Sequence, residues 1–249
     1  MNQYENKAYQ EMLEWEQKLL QKKSTFQQLS KKAQNKINSY IPEKAHQIMT
    51  EAIKNMVKTT LVGSDFITNK NQAIGLNLEE KEQLIQQKLE SYRKTAAIEG
   101  AGTGAGGIFL ALADFPLLLS IKMKFLFEVA NIYGFSTKDY EERLFILHVF
   151  QLAFSNDNKR REVFYFIQNW EEEKTRLADV NWREFQQEYR DYIDLVKMLQ
   201  MIPGLGAIVG AYANYNLLDQ LGETAKNAYR QRILKWDEET GSPFHKLGH

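Results

Sequence analysis

The chain of 249 residues contains no cysteine, only four prolines and no excess of charge, because 32 lysines and arginines balance 32 aspartates and glutamates. Without cysteine there is no disulfide, no thiolate nucleophile and no cysteine-ligated zinc site. Without a basic excess the chain lacks the charge with which nucleic-acid-binding proteins displace counterions, so we expect no nucleic-acid partner. The scarcity of proline leaves long uninterrupted stretches that favour helices.

Long apolar runs are missing as well. The two most apolar segments, 108–121 and 201–213, are shorter than the roughly 20 residues that a membrane-spanning helix needs. We expect each of them to be a buried core helix or to enter one leaflet of a bilayer. The N-terminal residues show neither an apolar signal core nor a basic leader, which predicts a cytoplasmic protein.

Apolar residues recur with the three- and four-residue spacing of amphipathic helices, and no segment shows the alternation of a strand. The pattern predicts an all-α fold with a single compact domain of roughly nine helices over residues 1–236. Residues 237–249 are expected to form a flexible C-terminal tail. We expect Gly134 to end one helix and Gly222 to break the chain before the last one.

Glycine is concentrated in residues 99–107, where Gly102, Gly104 and Gly107 have the spacing of a dinucleotide-binding loop. That loop works only between a strand and a helix, whereas residues 87–98 have a helical pattern. We therefore interpret these glycines as positions where helices approach closely.

A second glycine-rich apolar segment covers residues 202–216. Small residues spaced four apart on both segments predict two ridges that pack on each other or border a pocket for a small apolar or lipid-like ligand. The residues predicted for these roles are Gly100, Gly104, Gly107, Gly206, Gly210, Tyr212 and Asn214.

Two acidic residues, Glu99 and Asp114, flank the first glycine segment and are the only candidates for general acid/base catalysis, as in a hydrolase. Asp114 is interpreted first as a helix N-cap, and no nucleophile or oxyanion-binding group accompanies the pair. His148 lies among apolar residues and is interpreted as a core histidine. The sequence contains no metal-binding motif, so we expect neither metal nor cofactor, and a non-catalytic role is favoured over an enzyme.

Basic residues give the last helix a positive character. Lys226, Arg230, Arg232 and Lys235 are the predicted contact surface for anionic headgroups or a protein partner. An ordinary solvated helix face is the alternative.

Several of these pieces occur in a distinctive order. The glycine run 99–107 is followed by the step Ala113-Asp114-Phe115-Pro116, the helix end Ile132-Tyr133-Gly134, and Ile202-Pro203-Gly204-Leu205-Gly206-Ala207 leading to Asn214-Tyr215. In this order the chain resembles the EcsC family, bacterial proteins often encoded beside an ABC transporter, over most of residues 10–236.

The resemblance implies a partner role at the inner face of the membrane, and it implies no activity and no catalytic residues. We therefore expect a non-catalytic cytoplasmic accessory protein, peripheral at the inner membrane face, that docks on ABC transporter subunits or an anionic membrane surface. The alternatives are a binder of a small apolar or lipid-like ligand, and a hydrolase that uses Glu99 and Asp114.

Overall fold

The computed structural model describes residues 2–21, 43–63, 72–102, 115–155, 159–178, 209–234, 236–237 and 242–243. At 43, 45–46, 96–102, 209–216 and the last two pairs it describes the backbone only. These ranges contain eight helices: α1 (Gln3–Leu20), α2 (Glu43–Val62), α3 (Leu78–Gly102), α4 (Phe115–Tyr133), α5 (Tyr140–Phe154), α6 (Arg160–Gln168), α7 (Trp170–Ala178) and α8 (Val209–Ile233).

The predicted all-α class is confirmed, with eight helices in the described residues where roughly nine were expected for the whole chain. Two short strands, β1 (Trp236–Asp237) and β2 (Ser242–Pro243), pair antiparallel; β1 spans the boundary between the predicted domain and the predicted tail of residues 237–249, and β2 lies in that tail. Among the described helices, none is both long enough and apolar enough to cross a membrane.

The helix ends follow local sequence signals. Asn77 precedes α3 and forms a capping box, because its Oδ1 accepts from the Glu80 amide at 3.1 Å and the Glu80 carboxylate accepts from the Asn77 amide at 2.8 Å. Gly134 ends α4 as predicted, with a φ of 101°. The amide of Phe135 then donates to the carbonyl of Ala130 at 3.0 Å, which closes a Schellman motif.

The predicted break at Gly222 is wrong, because α8 is continuous from Val209 to Ile233. A β-carbon on Gly222 would lie 3.0 Å from Cδ2 of Leu89 on α3. The glycine therefore lets α8 and α3 pack closely, which offsets its usual cost in a helix interior.

The centre of the molecule is formed by α4 and α5, which are buried on nearly all sides. Helices α3 and α8 pack against each other, and α2 and α3 both pack against α4. In the apolar segment 108–121, Phe115, Leu118 and Leu119 are buried and Leu117 is exposed. Most of its described part therefore belongs to the core, whereas residues 108–114 lie outside the described residues.

Candidate functional site

The structure describes few of the residues predicted to bind ligand or to catalyse. Outside the described residues lie Gly104, Gly107, Asp114, Gly206 and Lys235. The backbones of Glu99 and Gly100 belong to α3, and those of Gly210, Tyr212 and Asn214 belong to α8, without described side chains. The roles assigned to these ten residues stay predictions.

The context of the glycine loop is clear from the backbone. Helix α3 continues to Gly102, so the residues before the Gly102, Gly104 and Gly107 spacing form a helix. A dinucleotide-binding loop follows a strand, so the helix before Gly102 disfavours that loop, and the interpretation based on close helix contact stays a prediction.

Two of the basic residues of the last helix lie in the interior. Arg230 is 1% exposed, and the side chain of Arg232 is 10% exposed. The prediction that they contribute to a basic surface is wrong, because a buried carboxylate binds each guanidinium. Lys226 is half-buried, so a surface role for Lys226 stays a prediction.

Arg230 connects α8 with three other helices through a group that we call the Glu82 cluster. Its Nε and Nη2 donate to the two carboxylate oxygens of Glu82 on α3 at 2.7 and 2.5 Å, and its Nη1 donates to Glu11 on α1 at 3.0 Å. The hydroxyls of Tyr4 and Tyr133 also donate to Glu82, at 2.7 and 3.1 Å. Burial by itself lowers the pKa of Arg230, but the hydrogen bonds and charge of Glu82 outweigh it and raise that pKa.

A second group, the Glu142 cluster, holds Arg232. Its Nη1 donates to Glu142 on α5 at 2.7 Å, and the hydroxyl of Tyr229 donates to the other carboxylate oxygen at 2.5 Å. The guanidinium carbon lies 3.8 Å from the ring centroid of Phe135 and 4.4 Å from that of Phe145, within the range of cation–π attraction. Burial raises the pKa of Glu142, although Arg232 and Tyr229 act in the opposite direction.

The two clusters touch through their tyrosines. The rings of Tyr133 and Tyr229 stack with centroids 5.3 Å apart and an angle of 23° between their planes. Burial, together with the neighbouring carboxylates, raises the pKa of both hydroxyls, so both stay protonated and donate to Glu82 and Glu142. The result is a pair of polar clusters, joined by this ring stack, that attach α8 to α1, α3, α4 and α5.

Two further ionisable residues are fully buried. The Nδ1 atom of His148 donates to the carbonyl of Leu144 at 2.8 Å, and burial lowers the pKa of His148 to about 4. The interpretation of His148 as a core histidine agrees with this neutral, hydrogen-bonded ring. Burial lowers the pKa of Lys122 on α4 to about 7. Across the described ranges, no three histidine or carboxylate side chains are grouped so as to hold a metal ion.

One end of the helix bundle carries exposed apolar side chains around a fixed arginine. Arg143 on α5 donates to the carbonyl oxygens of Leu61 at 2.9 Å and Lys138 at 2.5 Å, and its guanidinium lies 5.9 Å from the ring of Tyr140. Val62 is 65% exposed and Tyr140 is 42% exposed. We call the surface formed by Val62, Tyr140 and Arg143 the Arg143 face.

A cleft of about 590 Å³ opens between α2, α3 and α4. On one wall Lys88 contacts Glu128 at 3.0 Å, and the hydroxyl of Tyr92 donates to the same carboxylate at 3.0 Å. Met56 and Ile121 contribute buried apolar surface. The volume lies within the range of small-molecule sites.

A smaller cleft of about 440 Å³ lies between α1, α3 and α8 and borders the Glu82 cluster. Lys226 and Glu223 of α8 line it, together with Tyr4 and Glu82. Lys226 therefore faces a groove with carboxylates of its own chain.

Glu82, Glu142 and Arg143 were not predicted from the sequence, because each is an ordinary charged residue on a helix and has no distinguishing pattern around it. For Arg230 the sequence did contain one signal of burial. Apolar residues lie on more than one side of α8 around it: Leu221, Ala225, Ala228, Tyr229 and Ile233. Such a pattern is typical of a helix that is buried on most of its circumference.

Comparison with known proteins agrees with the resemblance in the sequence. The pattern of the EcsC protein family matches residues 6–234. The chain is 56% identical to "Protein EcsC" of Bacillus subtilis (strain 168) over 226 residues, which cover 91% of this chain and 94% of that protein. It is 28% identical to "Uncharacterized protein YdbA" of the same organism over 225 residues, 81% of each chain. No solved structure matches the chain. The extent of these matches shows that this chain belongs to the EcsC protein family.

Proposed function

We propose that this protein is a non-catalytic accessory protein that docks on a subunit of an ABC transporter at the inner face of the membrane. The observation that carries the proposal is the Arg143 face, where Val62 and Tyr140 are exposed and Arg143 donates to the carbonyl of Leu61, the residue before Val62. The EcsC family, whose members are often encoded beside an ABC transporter, supplies the class of partner.

The side chain at the centre of this face is already in a fixed conformation. Arg143 spans from the end of α2 to the connection between α4 and α5 through its bonds to Leu61, Thr137 and Lys138. A side chain that is fixed in advance loses little entropy on binding. Tyrosine and arginine are also the residue types that contribute most often to interface affinity.

Charge favours a protein partner over a lipid headgroup. The exposed charged residues that neighbour Val62 and Tyr140 in the sequence have both signs: Lys58 lies one helical turn before Val62, and Lys138, Asp139 and Glu141 flank Tyr140. An anionic membrane attracts clusters of lysine and arginine, whereas a polar rim of mixed sign is typical of protein interfaces. Arg230, predicted to bind headgroups, is buried against Glu82.

The proposal is tested by sedimentation with three preparations: membranes that contain the transporter, membranes that lack it, and protein-free anionic vesicles. We expect retention on the first preparation only. The double variant Val62→Ser/Tyr140→Ser should lower that retention about ten-fold or more, as expected for residues at the centre of an interface.

Tyr165→Ser is the matched control, because Tyr165 is 52% exposed but lies on α6. It should sediment like the unmodified protein. Equal retention on transporter-free membranes or on vesicles would show a lipid surface instead. Unchanged retention of the double variant would refute the assignment of the Arg143 face.

A further inference from the structure

The cleft between α2, α3 and α4 is distinct from the Arg143 face. It is elongated along α4, and its two ends differ in charge. Helix α4 contributes a stripe at three- and four-residue spacing to its wall: Leu117, Ile121, Lys124 and Glu128. Over these residues α4 rises about 16 Å, at about 1.5 Å per residue. The cleft therefore has the length of an extended acyl chain as well as the volume of a small-molecule site.

Contacts between α3 and α4 define which wall residues face each other. Lys88 of α3 contacts Glu128 at 3.0 Å, and the ring of Tyr92 packs on Phe125 with centroids 5.7 Å apart. Since the two helices are antiparallel, Thr95 on the next turn of α3 lies at about the level of Ile121, and Leu117 lies one further turn toward the beginning of α4.

Polarity changes along this axis. At one end of the cleft are the charged groups of Lys88, Lys124 and Glu128. Toward the other end the lining carries no charge, and the apolar side chains of Ala52, Leu117 and Ile121 lie there beside the hydroxyls of Thr95 and Ser120. Leu117 is 48% exposed at the edge of the cleft, so this uncharged end is open to solvent.

The charged end of the cleft favours a negatively charged ligand. Two ammonium groups and one carboxylate line it, which leaves a net charge of one positive unit. The carboxylate of Glu128 already accepts from Tyr92 and pairs with Lys88. Lys124 is exposed one helical turn away on the same stripe, where its ammonium group can meet a ligand.

From this gradient we propose that the cleft binds a single-chain amphiphile with one negative charge, of the fatty-carboxylate class. The carboxylate lies at Lys124 and Lys88, and the acyl chain follows Met56 and Ile121 toward Leu117. This binding does not depend on the docking function, because the cleft and the Arg143 face share no residue.

The experiment is a calorimetric titration of the full chain with dodecanoate below its aggregation concentration. Dodecanol and dodecyltrimethylammonium serve as probes with the same chain and a neutral or positive head. We expect saturable binding of one dodecanoate and clearly weaker binding of the other two. Lys124→Gln should weaken dodecanoate binding about three- to five-fold, and Lys124→Arg should retain it.

Two variants separate the cleft from the rest of the surface. Ser120→Trp places a large side chain in the cleft from an exposed position on α4 and should weaken binding at least ten-fold. Lys94→Gln removes an exposed lysine of α3 that does not line the cleft and should leave binding unchanged. Absence of saturable binding, equal binding of dodecanol, or full binding by a folded Ser120→Trp protein would overturn the proposal.

Discussion

Arg230 and Glu82 are 148 residues apart in the chain, and their side chains form two hydrogen bonds of 2.7 and 2.5 Å in the interior. The guanidinium fork matches the carboxylate with two donors, a geometry that lysine cannot provide. Because Glu82 also accepts from Tyr4 and Tyr133, this single carboxylate organises the contact of α8 with α1, α3 and α4.

Removal of Arg230 should therefore destabilise the fold strongly. We expect Arg230→Met to lower the free energy of unfolding by about 3–5 kcal/mol, because Glu82 then remains buried with its charge uncompensated. Urea unfolding followed by circular dichroism measures this change. In the double variant Arg230→Met/Glu82→Gln a large part of the lost free energy of unfolding should be recovered, since the neutral amide can still accept hydrogen bonds from the tyrosines.

Lys18→Met is the control for this prediction, because the pair of Lys18 with Glu14 is 3.9 Å long and more than 70% exposed on both sides. Exposed pairs of this kind contribute between zero and about 1 kcal/mol. If Arg230→Met cost no more than Lys18→Met, the Glu82 cluster would not have the structural role described above.

Much of the fold could be predicted from the sequence, since helical spacing and helix-ending residues act locally. The end of α4 at Gly134 is an example, because a left-handed turn there needs only the glycine and its immediate neighbours. The role of Gly222 could not be predicted in the same way. Its explanation lies in Leu89, on another helix, and no local pattern distinguishes a glycine that breaks a helix from one that admits a neighbour.

The candidate sites were harder to predict for a similar reason. A basic residue such as Arg230 on a polar helix has the same local pattern whether it faces water or a carboxylate far away in the chain. The Arg143 face likewise depends on the packing of α2 against α5, which brings the end of α2 at Leu61 to Arg143. The family, in contrast, could be predicted, because the order of the glycine and proline segments persists along most of the chain.

Gly222 offers a direct test of the contact between α8 and α3. We expect Gly222→Leu to lower the free energy of unfolding by about 1–3 kcal/mol, because even a β-carbon would lie 3.0 Å from Leu89. The neighbouring Glu223 is exposed, so Glu223→Leu should change stability by about 0.5 kcal/mol or less. Equal effects of the two variants in thermal or urea unfolding would contradict the close packing.

Gly134 should resist substitution for a reason of backbone conformation. Its φ of 101° lies in the region that favours glycine, and an alanine there costs about 1–2 kcal/mol. We expect Gly134→Ala to reduce stability by that amount in chemical unfolding. Ser136→Ala, at an exposed position in the same connection, is the control and should be nearly neutral; a neutral Gly134→Ala would show that the turn can change its conformation.

The buried His148 predicts a pH dependence of stability. Its pKa falls from 6.5 to about 4 in the folded protein, so the unfolded chain binds more protons between these values. The free energy of unfolding should therefore decrease as the pH falls from 6.5 toward 4. Each pH unit lowers it by about 1.4 kcal/mol, so His148 alone accounts for about 3 kcal/mol over the whole interval.

Comparison with His148→Gln isolates the contribution of the histidine from that of Glu142, whose raised pKa acts in the opposite direction. Unfolding curves are measured for both proteins between pH 7 and pH 4. The variant should lose less stability over this interval than the unmodified protein. Parallel pH profiles would show that His148 is not kept neutral by the fold.

The docking function is tested most directly by a photo-reactive amino acid at position 62, in cells that contain the transporter. Val62 is 65% exposed on the Arg143 face, so irradiation should attach the chain to a transporter subunit, and the same amino acid at position 165 should not. A label at position 62 that reacts only with lipid, or with no membrane protein, would contradict docking through this face.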